Sequence, residues 1–589
     1  MKKPNTNSVL KRFIDDIKTV GIIVPIIILL IFYITWYLIL PAFNWHDITF
    51  YIWIELSLAL SVVLYFGIGM LQNSNYRSLA FLNMATRTIW LQVGIFIAVF
   101  TVWLAGSKLF HAYDFANVLS IENGNIETDI PTDTKNITLM DTKSARQLGN
   151  RVLGSMTDTI SLFEDDPDYS QIAYKGESAK VTNLKYASFF RWLNNRNSGI
   201  PGYIYINTNT EQEDAEYKKL ESGMKVSPSG RFGDDLNRFI RKQYPSLKFG
   251  NVHFEIDDND NPYYIASVYN YKTSFGCKYV IGILVVNPIT RDIKYYNLSE
   301  IPDWVDVAVS GDLICEQYDW YGELSGGFIN SIFGKKNCTI TTRYKESGDE
   351  DTNDDRPAQD YGYFIKDGHV WIYTGITSVI SNDKSDKGFI MADERTGKAY
   401  IYEIPGANEQ SAMQAAEGEV QQYGYQASFP SLIKLDNTLT FMMALKDNNG
   451  IVKMYGAVNL EQYNKVAVGE TLKDCINNYG RKLGKETDKE NKEENKEENL
   501  VDMPEENSNN GLNVNESEEL NNFTPISIKI DKIERITIDG DSYICFHDET
   551  TKKWYKMSLA NNLDAIYLNV GDTLDTETNS DGYLKGLEN

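Results

Sequence analysis

The chain has 589 residues, too many for one compact domain, and 42% of them are apolar, enough for several buried cores. Its 57 lysines and arginines against 81 aspartates and glutamates give a net charge of −24. Such a surface repels phosphate backbones, so we expect no nucleic acid among its partners. The five cysteines are widely spaced and include no CxxC pair, which argues against a dense disulfide framework and against a zinc site of paired cysteines.

Three apolar stretches open the chain, at Val20 to Ala42, Ile48 to Leu71 and Ile89 to Gly106. At a rise of about 1.5 Å per residue, helices of roughly 18 to 24 residues match a hydrocarbon core of about 30 Å. We therefore predict three membrane-spanning helices. The first stretch is too long for a signal peptide and two more follow it, so we interpret it as a retained anchor.

The distribution of positive charge predicts the orientation of these helices. The segment before the first stretch is basic, the link Phe43 to Asp47 has no Lys or Arg, and the link Gln72 to Thr88 carries Arg77 and Arg87. Lys and Arg near span ends are held on the cytoplasmic side. We therefore expect a protein of the plasma membrane with a cytoplasmic N-terminus and an extracytoplasmic body after Gly106. Lys108, just beyond the third stretch, is weak evidence against this orientation.

Glu55 is the only acidic or basic side chain within the three stretches. A carboxyl group in hydrocarbon is costly and is a functional candidate, as a proton or ion ligand or as a contact to a partner helix in a homo- or hetero-oligomer. The alternative is that Glu55, about two turns from the outer helix end, reaches headgroup water or remains protonated.

The body contains a unit of two hairpins in three copies. Alternating apolar and polar residues indicate half-buried strands, and Asn/Asp/Pro/Gly clusters indicate the reversals between them. The strands predicted for the three copies are, in order, 252–256, 263–269, 279–286 and 293–298; 363–365, 370–374, 388–392 and 399–404; 431–435, 439–445, 452–458 and 463–468. Tandem copies imply supersecondary units that pack side by side.

Helical patterns accompany these hairpins. Helices are predicted at Leu236 to Tyr244, which Pro245 ends, at Glu409 to Gln422, and at Thr471 to Leu483. Helices that cover antiparallel sheets form an α+β arrangement. Nearer the membrane, an apolar helix at Tyr186 to Leu193 and a strand at Tyr203 to Ile206 predict another α/β module.

The first copy resembles the PepSY family of extracytoplasmic domains in its order of helix, Tyr244-Pro245, strand, Asp-rich turn, strand and final pair around Pro288 to Ile293. Asp393 to Gly397 in the second copy is similar to the Asp-x-x-Thr-Gly turn of that family. The arrangement as a whole is similar to large membrane proteins of Gram-positive bacteria. The resemblance implies modules that restrain peptidases or bind partners at the cell envelope, through motifs that are structural rather than catalytic. No peptidase module accompanies them here.

The end of the chain has a different composition. Residues 485–522 repeat Asn-Lys-Glu-Glu and contain few apolar residues, which predicts a disordered acidic linker, with a solvated helix over Thr487 to Leu500 as the alternative. Residues 523–589 alternate again, in short segments typical of a small β-barrel of OB or SH3 type. Their seven basic against twelve acidic residues disfavour oligonucleotide binding.

These observations divide the chain into eight parts. They are a transmembrane region (1–110), a juxtamembrane α/β module (111–230), PepSY-like repeat 1 (231–302), a connecting insert (303–354), repeat 2 (355–406), repeat 3 with flanking helices (407–484), the linker (485–522) and the barrel (523–589).

No motif predicts a catalytic, cofactor-binding or metal-binding residue. The five histidines are scattered and lack an HExxH pattern, and Gly322 to Gly326 has the wrong spacing for a serine elbow. Asp257 to Asn261 is similar to the start of a calcium loop but lacks its glycine and glutamate, so we interpret it as a hairpin turn. Lys446 and Asp447 are interpreted as charges at a hairpin end, and 346–355 as an exposed acidic loop.

The leading hypothesis is a membrane-anchored binding or scaffold protein of the bacterial cell envelope that takes an envelope protein or peptide as partner. A free strand edge offers one physical route to such binding. Two alternatives stay open: an envelope hydrolase that uses carboxylates from separate modules, and an accessory subunit of a membrane transport or secretion complex in which Glu55 faces another helix.

Overall fold

The computed structural model describes residues 6–71, 75–156, 161–208, 214–342, 361–379, 385–448, 450–484, 524–538, 541–558, 565, 568, 570–578 and 584–585. The chain forms two compact units, Met1–Lys489 and Glu490–Asn589. The predicted linker and acidic loop lie outside the described residues.

Three long helices begin the chain: α1 (Thr6–Ile39), α2 (Ile48–Leu71) and α3 (Asn75–Ala105). Pro41 disfavours helical backbone at the preceding residue, and Leu40 adopts a left-handed conformation (φ 53°) where α1 has ended. The predicted link Gln72 to Thr88 is wrong over most of its length, because α3 begins at Asn75. The polar residues in the first turns of α3 are helical as well, because their carbonyl groups accept the backbone hydrogen bonds of the apolar turns that follow.

Two helices, Ile48–Leu71 and Ser78–Ala105, are long and apolar enough to cross a membrane. The apolar part of α1 whose side chains are described, Ile23–Ile39, is shorter. Large apolar side chains such as Leu38, Val63 and Phe96 are mostly exposed on these helices. Because so much continuous apolar surface is unfavourable in water, the helices indicate a membrane anchor.

A helical segment links the membrane helices to the sheets of the body. It contains α4 (Lys108–Ala116), the short strand β1 (Ile121–Asn123), α5 (Ile126–Asp129) and α6 (Thr142–Gly154). Asn125 and Asp141 accept hydrogen bonds from backbone N–H groups at the starts of α5 and α6, which accounts for where these helices begin.

The first sheet has five strands, of which the sequence predicted only one. Its strands are β2 (Phe163–Asp165), β3 (Ser170–Tyr174), β4 (Glu177–Tyr186), β5 (Ile200–Asn207) and β6 (Asp214–Met224). β4 pairs with β2, β3 and β5, and β6 pairs with β5. Tyr186 belongs to β4, so the helix α7 (Phe189–Asn195) starts later than predicted, at the cap Ser188.

The second sheet confirms the two hairpins of the first copy. Helix α8 (Leu236–Gln243) precedes β7 (Lys248–Ile256), β8 (Pro262–Tyr271), β9 (Lys278–Val286) and β10 (Ile293–Asn297), which pair antiparallel in chain order. In the β7–β8 turn, Asp257 Oδ1 accepts the N–H groups of Asn259 and Asn261 at 2.9 Å. The turn interpretation of this segment is therefore confirmed.

The connecting insert contains a helix that the sequence analysis missed, α9 (Gly311–Leu324), and the strand β11 (Thr339–Thr341). The third sheet follows, with β12 (Gly362–Lys366), β13 (His369–Ser378), β15 (Gly388–Asp393) and β16 (Ala399–Tyr402), joined by β1 and β11 at its edges. Two short strands, β14 (Ser385–Asp386) and β17 (Gly406–Ala407), pair beside it.

The fourth sheet confirms the third copy. Helix α10 (Glu409–Glu419) precedes β18 (Gln426–Ala427), β19 (Ser431–Leu435), β20 (Thr438–Lys446), β21 (Val452–Asn459) and β22 (Val466–Gly469), and α11 (Leu472–Lys482) follows. The last strand begins after Tyr463, which is exposed.

Successive sheets pack face to face, so both faces of the inner sheets are buried. In β8, Ala266 belongs to the core shared with the first sheet, whereas its neighbour Ile265 belongs to the core shared with the third sheet. A third core joins the other face of the third sheet to the fourth sheet, for example through Tyr373 and Phe441. The period of two along a strand directs adjacent residues into different cores.

The second unit has one antiparallel sheet of β23 (Thr524–Ile538), β24 (Asp541–Asp548), β25 (Trp554–Ser558) and β26 (Thr573–Thr578). β23 pairs with β26 along its first half and with β24 along its second. Leu584 N–H donates to Lys556 O at 2.8 Å in β25, and Lys585 N–H donates to Glu577 O at 3.0 Å in β26. β24, β25 and β26 are short as predicted, but β23 is one long strand of 15 residues, and a closed barrel of OB or SH3 type stays a prediction.

Candidate functional site

Glu55, the residue singled out by the sequence, lies between α2 and α3. Gln92 Nε2 donates to the Glu55 backbone oxygen at 3.0 Å and to Glu55 Oε2 at 3.1 Å. The other carboxyl oxygen, Oε1, is buried without a hydrogen-bond partner among the described residues. Glu55 thus has a partner within its own chain, and one oxygen remains available for a proton or for a further donor.

Small polar side chains hold α1 to α2. Thr35 Oγ1 and Ser57 Oγ lie 2.7 Å apart, and Trp53 Nε1 donates to Thr35 Oγ1 at 3.1 Å. Such contacts between neighbouring helices replace the hydrogen bonds that lipid cannot supply.

The loop between α1 and α2 is fixed to the body by Asp47, which is 1% exposed. Its carboxylate accepts the N–H groups of Ala42 at 2.8 Å and Thr49 at 3.1 Å and pairs with Lys248 at the start of β7. Burial alone would raise the pKa of Asp47, but the hydrogen bonds and the charge of Lys248 lower it overall. The ionised form of Asp47 is therefore the one that holds the loop.

Arg241 of α8 provides a second attachment to the membrane helices. Its Nε donates to the carbonyl oxygen of Leu40 at 3.2 Å, and Nη1 donates to Leu247 O at 2.6 Å. Burial lowers the pKa of Arg241 to about 10, against the opposing charge of Asp47, so the guanidinium stays protonated at neutral pH. It satisfies a carbonyl that the end of α1 leaves free.

Two further contacts complete this junction between helices and body. The His46 ring lies against Tyr271, with Nδ1 2.5 Å from Ser274 O. Gly106, just after α3, faces Ser274 so closely that a Cβ there would approach its backbone nitrogen to 3.0 Å. The α1–α2 loop, the end of α3 and the body consequently share one side of the helices.

The body contains buried carboxyl groups from separate modules. Glu255 in β7 is fully buried and accepts the N–H groups of Asp306 and Val307, both at 3.0 Å, while His253 Nε2 lies 2.8 Å from Oε1. Asp306 accepts the N–H of Ala173 in β3 at 2.7 Å. Burial, and then the nearby charge of Glu255, raises the pKa of Asp306.

Glu394, the residue after β15, is another buried carboxyl group of the body. Its Oε1 accepts the N–H of Gly311, the first residue of α9, at 2.7 Å, and Oε2 is buried without a partner among the described residues. Burial raises the pKa of Glu394 to about 8, and the charges of Asp312, Glu255 and Asp393 act in the same direction. At neutral pH the group is mostly protonated.

Two buried lysines, Lys446 and Lys180, lie where the first and fourth sheets approach each other. Lys446 in β20 is 4% exposed and pairs with Asp141, the cap of α6. Lys180 in β4 is fully buried, has no hydrogen-bond partner among the described residues, and holds its Nζ 5.1 Å from the ring centre of Tyr363. Burial lowers the pKa of Lys180 to about 8. Lys446 lies at a hairpin end as predicted, as the last residue of β20, but it is buried and paired with a distant acid, which the sequence did not indicate.

These charged groups serve mainly to join the sheets. Each of the carboxyl groups of Glu255, Asp306 and Glu394 accepts at least one backbone N–H from another segment, as buried polar groups require. Acids from separate modules do come together, as the hydrolase hypothesis needs, but they are buried in the interior rather than exposed on an open cleft.

One polar cavity of about 340 Å³ opens beside α6 in the first sheet. It is lined by five polar or charged residues, Arg146, Asn150, Glu164, Asp165 and Lys185, and by Leu153, Gly154 and Phe163. Burial raises the pKa of Asp165, and the charge of Arg146 opposes this shift. Glu164 pairs with Lys185 at 3.8 Å. The two acids of the cavity, Glu164 and Asp165, therefore do not form a matched pair of catalytic acid and base.

The first sheet presents a long strand at its edge. Within the described residues, β6 pairs with β5 alone, and Glu216, Lys219 and Glu221 along it are exposed. An unpaired edge offers a row of backbone donors and acceptors to another chain. No sequence pattern identified this edge, because strand order depends on contacts between distant segments.

Other sequence-level candidates do not assemble into a site. All five cysteines are buried thiols, and the histidines lie apart, for example His111 beside Asp114 at 2.7 Å and His369 near Asp393 at 3.8 Å. Within the part of the chain that the structure describes, no group of three or more His, Cys, Asp or Glu residues could hold a metal ion.

Comparisons with known proteins add little. No protein-family model matches the chain, and no curated protein matches it. Among solved structures, a tryptophan-to-alanine variant of the Synechocystis apocarotenoid oxygenase aligns at 9% identity and a TM-score of 0.16, over 55% of this chain and 64% of that one. The cobalt-substituted enzyme aligns at 9% and 0.16, over 53% and 63%. The chain spans less than two thirds of these structures, and at such scores the likeness supports no conclusion.

Proposed function

We propose that the protein is a membrane-anchored scaffold of the bacterial cell envelope whose body, held outside the cytoplasm, binds an envelope protein or peptide. In this role it modulates a peptidase or the assembly of envelope components, as the PepSY-like order of elements implies. The observation that carries the proposal is the long free edge of β6.

The edge strand suits binding of an extended segment. β6 has eleven residues, longer than the mean strand of about 5 to 6 residues, and is paired on one side within the described part of the chain. A peptide added there gains main-chain hydrogen bonds, and alternate side chains set its specificity. The mixed charges Glu216, Lys218, Lys219 and Glu221 discourage indiscriminate pairing, so we expect a partner strand with a complementary charge pattern.

The junction supports a scaffold role. Asp47, Arg241 and His46 tie the body directly to the membrane helices, so the body keeps one orientation toward the membrane. A binding edge held in this way is presented at a fixed height above the lipid surface. The buried charges of the body are used for internal contacts, which favours binding over catalysis.

Two neighbouring proline variants test the edge. In an antiparallel ladder, successive N–H groups point alternately to the two sides of a strand. One of the variants Lys218→Pro and Lys219→Pro therefore removes a hydrogen bond to β5 and lowers the thermal unfolding temperature. The other variant removes only an N–H group that points away from β5. We expect this second variant to fold normally and to lose the partner.

The partner is detected by a photoreactive amino acid at Glu221, irradiated in intact cells. A defined adduct that disappears in the well-folded proline variant supports the proposal. An adduct that persists there, or the bare protein alone in repeated trials, contradicts it. The same photoreactive residue at Tyr463, an exposed position in the turn between β21 and β22, is the control.

Orientation is tested separately. A membrane-impermeant maleimide should label Lys219→Cys on intact cells, because the predicted topology places the body outside. Labelling only after lysis would contradict the proposed compartment and with it the class of partner.

A second candidate function, an accessory subunit of a membrane transport or secretion complex, has one specific observation in its favour. Glu55 Oε1 is buried between the helices without a hydrogen-bond donor among the described residues. A donor from another helix would supply this missing bond.

A further inference from the structure

An exposed aromatic patch lies on the body beside the end of α1. It consists of four apolar side chains in α7 and the turn before α8 whose exposed fractions are large: Phe189 (41%), Phe190 (71%), Leu193 (45%) and Phe232 (55%). They surround the buried Trp192, whose ring centre lies 5.6 Å from that of Phe189 and 5.7 Å from that of Phe232. Exposed apolar clusters of this kind mark interaction surfaces.

The contacts of α8 establish where the patch lies relative to the membrane helices. Arg238 stacks on the ring of Tyr37 at 4.5 Å, and Arg241 bonds to the carbonyl of Leu40. Along α8, Arg238 precedes Arg241 by about one turn. Their partners Tyr37 and Leu40 are also about one turn apart and come in the same order along the chain. α8 therefore runs in the same direction as the last turn of α1, and its beginning is the end nearer to the membrane.

Phe232 lies at that end of α8. It precedes the helix by four residues, and Tyr37 is two residues, or about 3 Å, before the end of α1 at Ile39. The patch therefore adjoins the end of α8 that contacts the last turn of α1. Near this turn α1 approaches the outer boundary of the predicted span, where aromatic side chains are favoured.

The charges around the patch are basic, although the chain as a whole carries −24. Arg191, Arg196 and Arg231 are exposed between or beside the apolar residues. The nearby acid Asp234 is buried and occupied by Arg196 at 3.4 Å and by Arg291. Long basic side chains can direct their stems along apolar surface and their charges toward headgroups.

We propose that the aromatic patch inserts into the lipid surface, with its arginines on anionic headgroups, so that the body rests on the bilayer as well as being tethered to it. Lipid is favoured over a protein occupant because the patch continues from the junction with the membrane helices and because its charge complements anionic lipid. The inference rests on the membrane anchoring of the proposed function.

Lipid-quenching measurements on the full-length protein test the proposal. The protein is reconstituted in vesicles of phosphatidylcholine and phosphatidylglycerol, with an environment-sensitive fluorophore on Phe190→Cys or Leu193→Cys. Its five native cysteines are buried, and the parent protein treated identically gives the background. Quenching by lipid brominated near the headgroup should be several-fold stronger at both positions than at Tyr463→Cys, and should weaken when phosphatidylcholine replaces phosphatidylglycerol.

A label on Val63→Cys, exposed on α2, separates failure of this inference from failure of the anchor. If Val63 is quenched by deeply brominated lipid while 190 and 193 are not, the lipid contact is wrong and the anchor stands. If Val63 is not quenched, the anchor itself is wrong. Protection of 190 and 193 from both lipid quenchers and aqueous iodide would mean that a second copy or another protein covers the patch, which also overturns the proposal.

Discussion

The membrane helices and the body use buried polar groups in different ways. Between the helices the described contacts are made by hydroxyl, amide and indole groups, with Glu55 beside Gln92 as the one carboxyl. In the body, charged groups such as Lys446 and Glu255 hold separate segments together at full burial or near it, and Asp141, the partner of Lys446, is 18% exposed. A polar group in lipid must find a partner nearby on a neighbouring helix, whereas the body can assemble charges from sheets distant in sequence.

The largest expected effect comes from breaking a charge pair in the body. Lys446→Met leaves Asp141, whose side chain is only 18% exposed, beside α6 without the charge of Lys446, and we expect a loss of about 3 to 5 kcal/mol in the free energy of unfolding. Urea titration in detergent, followed by tryptophan fluorescence, measures it.

The matched control is Lys453→Met, on the same hairpin. Its partner Asp447 is 3.7 Å away and both side chains are partly exposed, so the cost should stay below about 1 kcal/mol. The double variant Lys446→Met with Asp141→Asn keeps a helix cap and removes the lone charge, so it should recover part of the loss. Equal losses for Lys446→Met and Lys453→Met would show that the buried pair is not special.

An intermediate effect is expected from Glu394 and depends on pH. Burial raises its folded pKa to about 8 from the ordinary value of 4.5, so the folded state retains the proton over this window while the unfolded state releases it. The stability of the native protein therefore falls as the pH increases from about 5 toward 8, by roughly 3 kcal/mol for this group alone.

Glu394→Gln cannot ionise and should lack that loss. The difference in unfolding free energy between Glu394→Gln and the native protein is expected to favour the variant increasingly as the pH rises, whereas Glu122→Gln, at an exposed carboxyl group, should follow the native curve. Parallel curves for native protein and Glu394→Gln would contradict the assignment of a protonated acid.

The smallest effect is expected in the membrane helices. Glu55→Gln retains an acceptor for Gln92, and a double-variant cycle with Gln92→Leu should give a coupling of only about 0.6 kcal/mol, the typical value for such pairs in membranes. Unfolding in bicelles measures the coupling. If Glu55→Gln also leaves complex formation untouched, the transport-subunit hypothesis loses its residue-level support.

The sequence predicted strand positions in the second, third and fourth sheets well, because their signals are local. Asp257 and Asp393 each accept backbone N–H groups within their own turns, so the turn residues alone specify the reversal. The sequence did not predict β4, because residues 177–186 are buried on both faces and show no regular alternation. It also did not predict α9, where polar and apolar residues do not follow a clear helical period.

For the candidate sites, the difference between what the sequence reveals and what only the structure reveals is larger. Glu55 could be found from sequence since one acid in a long apolar stretch is conspicuous. Lys446, Asp47 and the edge of β6 could not, because a charged residue in a loop or strand carries no sign of its partner, and those partners lie about 200 to 300 residues away.

Local chemistry along the chain determines which segments become apolar helices, which become strands, and where most turns fall, since those outcomes depend on neighbours a few residues apart. Only the tertiary structure decided which sheet faces share a core, which charges are buried together and which strand keeps a free edge. These depend on the packing of segments far apart in the chain, and a single side chain has no preference for a distant partner until the fold brings the two together.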